Sequence, residues 1–232
     1  MFEQAHHFVF LIFDRAGLPP VLDAVKDGMG QLFRFGLRPW FALSLAAALS
    51  ACGGGVHYRP VSDIPVRIGK PYEIRGQTYV PAADPSYDYL GYASWYGNES
   101  GNQTANGERF RPEAISAAHT TLPLPSYVEV TALDTGRTIL VRVNDRGPFA
   151  GKGRIIDLSR GAAEQLGIRA RGIAAVRVRV VAPSERDRKL LREGKRAPER
   201  PTVSPQILAN LRAQLAAGMQ EEGLAAGTAQ SQ

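Results

Sequence analysis

Valines and arginines alternate from Ala175 to Val181, which predicts a strand with one apolar and one cationic face. A second alternation, Tyr127-Val128-Glu129-Val130-Thr131-Ala132-Leu133, is separated by Asp134-Thr135-Gly136 from a third, Thr138 to Val143. Two alternating runs around a short polar turn predict a β-hairpin. Helical spacing occurs twice. Ala162, Ala163 and Leu166 form a stripe that Ser159 caps at one end and Gly167 closes at the other. Ile207, Leu208, Leu211 and Leu215 line one face of a second short helix, entered through Ser204-Pro205. Residues 88–182 therefore carry many short strands and one or two short helices, the pattern of a small, mainly β, closed barrel.

The flanks read differently. Residues 52–87 are rich in Gly, Pro and Tyr without a helical period. There "GGGVHYRPVSDIP" is expected to be a tether. "KPYEIRGQTYVPAADPSY" is expected to be extended with a turn at Arg75-Gly76, since Tyr72, Ile74 and Tyr79 alternate with polar positions. For residues 183–232 the expectation is a charged linker, "SERDRKLLREGKRAPERP", then the short helix and a disordered "GTAQSQ". The Ile207 to Leu215 face either packs back on the barrel or meets a protein partner.

Arg34 and Arg38 precede the apolar run Trp40 to Leu49, which is too short to span a bilayer as a mature helix and ends in small residues. Residues 29–51 thus read as a secretory signal. Leu49-Ser50-Ala51-Cys52 resembles a bacterial lipobox, which implies a lipid on Cys52 and a membrane anchor without a span. Gly53, in place of the aspartate that retains such proteins at the inner membrane, points to the outer membrane facing the periplasm. Residues 1–28 carry a separate apolar patch, "FVFLIF", and charges unsuited to a signal, so they read as an over-extended start ahead of Met29.

Composition narrows the chemistry. A chain of 232 residues accommodates one well-buried domain with extensions. The formal charge of +6, with 22% charged residues of both signs, describes a mildly basic surface and no nucleic-acid arm. One cysteine excludes an internal disulfide framework and a multi-cysteine zinc site.

Within the barrel segment the polar residues that stand out are Tyr96, Thr104, Asn106, Glu108, His119, Asn144, Asp145, Arg146 and Asp157. They lie in five ordered runs, "GYASWYG" (91–97), "TANGE" (104–108), "AAHTTLPLPS" (117–126), "VRVNDRGPF" (141–149) and "RIIDLS" (154–159). In order and spacing these runs resemble the RlpA (rare lipoprotein A) family. "GKPYEIRGQTYVP" and the lipobox agree with it. The resemblance implies a six-stranded double-psi β-barrel and a lytic transglycosylase that uses no metal or other cofactor. Its substrate would be peptidoglycan glycan strands, preferably without stem peptides, cut at the β-1,4 MurNAc-GlcNAc bond with closure of a 1,6-anhydro ring. That chemistry needs one carboxyl that first donates and then accepts a proton.

The family's catalytic residues fall on Glu108, His119 and Asp145, with Asp145 the expected acid/base. Val141, Val143 and Asp145 share a strand parity, which turns Asp145 to the barrel side, where desolvation raises a carboxyl; Arg142 and Arg146 would oppose that. Glu108 is the expected second acid and His119 the residue that orients a carboxylate or the substrate. Tyr96, Thr104, Asn106, Asn144 and Arg146 are expected to bind substrate. Asp157 is read as structural, pairing an arginine or capping a helix, and Trp95 as core. On its local chemistry alone, Asp145 in "NDRGP" would be a turn residue. Residues 98–103, "NESGNQ", replace a Phe-His-Gly stretch common in the family, and the tail is too short and charged for the SPOR module that many members carry. The alternative reading is a non-catalytic, expansin-like, wall-binding or wall-loosening lipoprotein.

Overall fold

The structure, a computed structural model, describes residues 57–97 and 101–229, with side chains as far as Glu221. The signal, the lipobox and Cys52 lie outside the described residues. A two-stranded hairpin, β1 (Tyr72–Ile74) and β2 (Gln77–Tyr79), comes first. Its turn falls at Arg75 and Gly76, both at positive φ, where the alternation of Tyr72, Ile74 and Tyr79 predicts it.

Six strands then close a barrel: β3 (Asp88–Tyr96), β4 (Ser116–Ala118), β5 (Ser126–Ala132), β6 (Thr138–Asp145), β7 (Arg154–Ser159) and β8 (Ala174–Val180). Their order around the barrel is β3-β7-β4-β6-β5-β8. The pairs β3/β7 and β4/β6 are parallel and the other four antiparallel. Closure leaves no free sheet edge in the barrel. The predicted hairpin is β5/β6, in register with Val130 opposite Ile139. In β8, Val176 and Val178 are fully buried while Arg177 and Arg179 turn outwards to Asp88 and Glu129. The core joins these valines to Val128, Val130, Val141, Val143, Ile156 and Leu158. Trp95 is partly buried against that core and donates its indole N–H to the Arg169 carbonyl.

Helix α1 (Arg160–Leu166) follows β7 directly. Ser159 accepts from the Ala162 N–H at its start, and Gly167 closes it in the left-handed conformation. Two further helices follow β8, α2 (Glu185–Arg192) and α3 (Pro205–Ala229).

Two expectations for the flanks change. The charged stretch after Ser184 is more than a solvated linker. Ser184 caps α2, Leu191 is buried, and Arg200 pairs with both Glu129 and Asp187, so the mixed charges are matched within the fold. The extended segment before the hairpin is more than a tether. Residues 59–68 form a strap bonded to the barrel through Arg59 to Gly107 and through Arg67 to Leu124. The last helix is also longer than its apolar stripe predicts, at 25 residues. Leu208 and Leu211 of that stripe pack on Leu133, with Leu215 beside them, so barrel contact occupies it, while Ile207 stays exposed.

Candidate active site

Strand β6 divides the polar residues of the five motifs between two sides. Arg142 and Asn144 turn outwards from the barrel core that holds Val141 and Val143. There they meet Glu108. Both Arg142 amino groups donate to the Glu108 carboxylate, at 2.7 and 2.8 Å, and the Asn144 amide donates to it at 2.9 Å. Glu108 is 2% exposed. Burial pushes its carboxyl up, but the bonds and charge of Arg142, with the amides of Asn144 and Asn106, outweigh that and hold it below its ordinary value. Arg142 also reaches the strap, donating to Asp63 at 3.2 Å and to the Ser62 carbonyl at 2.8 Å.

The run "TANGE" is a tight turn. Thr104 donates to the Asn106 side chain at 2.8 Å, and the Gly107 N–H to the Thr104 carbonyl at 2.8 Å. At its tip the Ala105 N–H donates to the Asp145 carboxylate at 2.7 Å, and the Arg146 N–H adds a second bond to the same oxygen at 2.8 Å. No described side chain has a hydrogen bond to this carboxylate. Burial pushes Asp145 up; the two N–H donors and the charge of Arg146 pull it back without cancelling the effect. Arg142 takes no part, because it lies on the other side of the strand.

Asp145 opens on a cleft of about 300 Å³ lined by Tyr96, Gln103, Ala118, Arg146, Phe149 and Asp157, with Gly147 between walls. The topology explains why two aspartates share it. Ala118, the last residue of β4, is paired with Asp145 of β6 on one side and with Asp157 of β7 on the other. Their backbones therefore stand two strand spacings apart, about 9.6 Å. The small side chain of Ala118 forms the floor between them. Asp157 accepts from Ser94 at 2.7 Å and from Arg154 at 2.7 Å, so it does pair an arginine, while Ser159 caps the helix. Tyr96 stacks on Phe110 at 4.9 Å, and among the described residues its buried hydroxyl has no partner of good hydrogen-bond geometry, with the Ser116 side chain beside it. Burial, then the charges of Asp145 and Asp157, push that phenol well above its ordinary value, so it is a neutral donor beside both carboxyls. Gly147 has φ +138°, a conformation open to glycine, which turns the chain away two residues after the acid.

The other expected site residues are placed as supports. The Nδ1 of His119 accepts from the Thr121 and Leu122 N–H groups, at 3.1 and 3.0 Å, which leaves the proton on Nε2 to donate to the Tyr87 hydroxyl at 2.9 Å. Burial and Arg146 lower it to about 4, so it is neutral at physiological pH. Only its backbone N–H meets Asp145, through the Asp145 carbonyl. The Arg146 guanidinium donates to three carbonyls, His119 at 3.1 Å, Leu122 at 2.6 Å and Ile68 at 3.0 Å. Thus Asp145, Tyr96 and Arg146 line one cleft; Glu108, Asn144, Thr104, Asn106 and His119 hold the turns around it. Sequence reasoning missed that Asp157 also lines the cleft. Its signal was parity: Ile156 and Leu158 are the core positions of β7, so Asp157 must face away from them.

A closed six-stranded barrel with two parallel pairs is the architecture of a double-psi β-barrel, and residues 89–178 match the family model described as "Lytic transglycolase". Three relatives carry the name endolytic peptidoglycan transglycosylase RlpA. The protein of Rickettsia felis is 42% identical over 142 residues, 60% of this chain and 61% of that one. That of Pseudomonas aeruginosa is 51% identical over 115 residues, 49% of this chain and 33% of its own. That of Yersinia pestis is 49% identical over 118 residues, 50% of this chain and 32% of its own. The barrel segment is similar in sequence to these RlpA proteins. The chain spans between about a third and three fifths of the length of these relatives. An expansin of Clavibacter michiganensis aligns with a TM-score of 0.33 at 23% identity, over 42% of this chain and 52% of that one, a likeness too slight to carry an argument.

Proposed function

We propose that the protein is a lytic transglycosylase that cleaves peptidoglycan glycan strands at the β-1,4 bond between MurNAc and GlcNAc, preferring strands without stem peptides. The observation that carries this reading is the Asp145 carboxyl, half-buried in a cleft, raised by burial and held, among the described residues, only by backbone N–H groups. Such a group keeps its proton more readily than an ion-paired carboxyl does, which suits it to serve in turn as acid and as carboxylate.

In the reaction Asp145 gives its proton to the glycosidic oxygen as the bond to C1 of the muramic residue breaks. The 6-hydroxyl of that residue then attacks C1, and its proton passes to the Asp145 carboxylate. The 1,6-anhydro ring closes, no water is consumed, and the enzyme regains its starting proton. Asp157 adds a second carboxylate across the Ala118 floor, where positive charge develops at C1. The ring of Tyr96 lines the cleft, while its buried, neutral hydroxyl stands beside the two carboxyls. Glu108, His119, Asn144, Thr104 and Asn106 are positioning residues, acting through the turns that fix Asp145.

A place in the cell envelope follows from the substrate. A lipid on Cys52 would anchor the chain, on the outer membrane by the residue that follows; labelling with palmitate, with Cys52→Ser as control, tests it. The activity is tested by mass spectrometry of digests of sacculi stripped of stem peptides. The expected products end in anhydro-muramic residues, and Asp145→Asn should slow their release by about a hundredfold to ten-thousandfold. Products with reducing ends would make the protein a hydrolase, and binding without soluble product a wall-binding module.

A further inference from the structure

Phe149 lines the Asp145 cleft and belongs to neither buried core cluster. Its ring instead meets two tyrosines of the hairpin, Tyr72 edge-on at 6.1 Å and Tyr79 edge-on at 5.7 Å. Those two are directly opposite each other in the β1/β2 register and stack at 5.2 Å with 20° between their planes. All three rings are half-buried. Apart from Ile74 the rest of the hairpin is polar and exposed, and two three-residue strands have no stability of their own in water. The Tyr72 hydroxyl pins the hairpin to the barrel by donating to the Thr120 carbonyl at 2.7 Å, one residue beyond His119. The chain thus brings a rigid, half-exposed aromatic surface from outside the barrel and fixes it to one wall of the cleft.

A β-1,4-linked pyranose presents its ring C–H bonds on its two faces and its polar groups around the rim. Such a ring matches an aromatic surface that keeps polar groups at its edges and loses little freedom on binding. Clefts that bind organic ligands commonly pair such apolar walls with a few placed polar groups. We propose that Tyr72, Tyr79 and Phe149 form a stacking platform for a sugar residue of the glycan, next to the pair of residues that spans Asp145. This rests on the glycan-cleaving reading above and adds to it a subsite outside the barrel.

The test uses the full chain carrying Asp145→Asn, so that strands bind without being cut, and titrates it by calorimetry with purified, peptide-free glycan strands. Tyr79→Leu keeps an apolar side chain in the hairpin but removes the flat face, and Tyr79→Trp restores one. The leucine variant, with an unchanged thermal midpoint, should bind about threefold to tenfold more weakly, and the tryptophan variant at least as tightly as its parent. Unchanged binding by the leucine variant, or weakened binding by the tryptophan variant, would mean that the rings only pack the hairpin. If Tyr79→Leu does not fold, the tryptophan variant decides alone by the same criterion. Product analysis with intact Asp145 is a separate readout. Absence of anhydro products overturns the cleaving activity while leaving a binding platform in place; products together with unaffected binding by the leucine variant overturn the platform alone.

Discussion

Asp145 binds its proton more tightly in the folded chain than the ordinary carboxyl value of 3.8. The stability this contributes is complete below that value and is lost as the pH rises through the folded one. Asp145→Asn keeps an oxygen to accept from Ala105 and Arg146 but cannot ionise. Its stability relative to the wild type should therefore rise as the pH climbs from below 3.8, and level off once Asp145 is ionised. Urea midpoints of both proteins from pH 3.5 to 7 check this, and a pH-independent difference would remove the case for a poised proton. Glu108 has the opposite setting. Glu108→Gln breaks a buried pair in which Arg142 is 2% exposed, so a loss of about 3 kcal/mol is expected. Residual activity should keep the wild-type pH midpoints, because the proposed reaction routes no proton through Glu108; a displaced profile would return it to the chemistry.

At the scale of elements, α1 starts against the loop before β4, where the Gly161 N–H donates to the Pro112 carbonyl at 2.8 Å. Glycine inside a helix ordinarily costs about 1 kcal/mol relative to alanine. Here a methyl would stand 2.1 Å from the Glu113 carbonyl oxygen. Gly161→Ala should therefore destabilise by about 2 kcal/mol, read from denaturant midpoints, in place of the usual gain. Such contacts separate what was legible in the sequence from what was not. Strands β5, β6 and β8 were readable because valines alternate on one face, and α1 because Ser159 and Gly167 mark its ends. Helix α2 was not, since its charges are matched by Asp63 and Arg200, both outside the helix. The site divides in the same way. Parity along β6 already separated Asp145 from Arg142 and Asn144, whereas the partners of His119 and Arg146 depend on where Tyr87 and Ile68 fold.

For the molecule as a whole, the strap is what closes the site from behind. Asp63 accepts from Tyr127, Arg142 and Arg192, which joins the strap to β5, β6 and α2 at one carboxylate. Tyr127 and Arg192 help hold Asp63 below its ordinary value, against the burial that raises it. A chain shortened to begin at Lys70 leaves Arg142 without Asp63 and Ser62, and Arg146 without Ile68. It should lose at least about 3 kcal/mol by denaturant titration, together with most of its activity on stripped sacculi. A shortened chain as stable and active as the parent would reduce the strap to a covering.

The strap also has a mechanical meaning. Its first backbone bond runs from Arg59 to Gly107, and the Arg59 side chain holds the Asn106 carbonyl at 3.0 Å. These are residues of the turn whose tip binds Asp145. Tension applied to the chain ahead of residue 57 would thus load the acid's own support before it loads any strand of the barrel. A pull too weak to unfold the domain would therefore reach the Ala105 bond to Asp145 first.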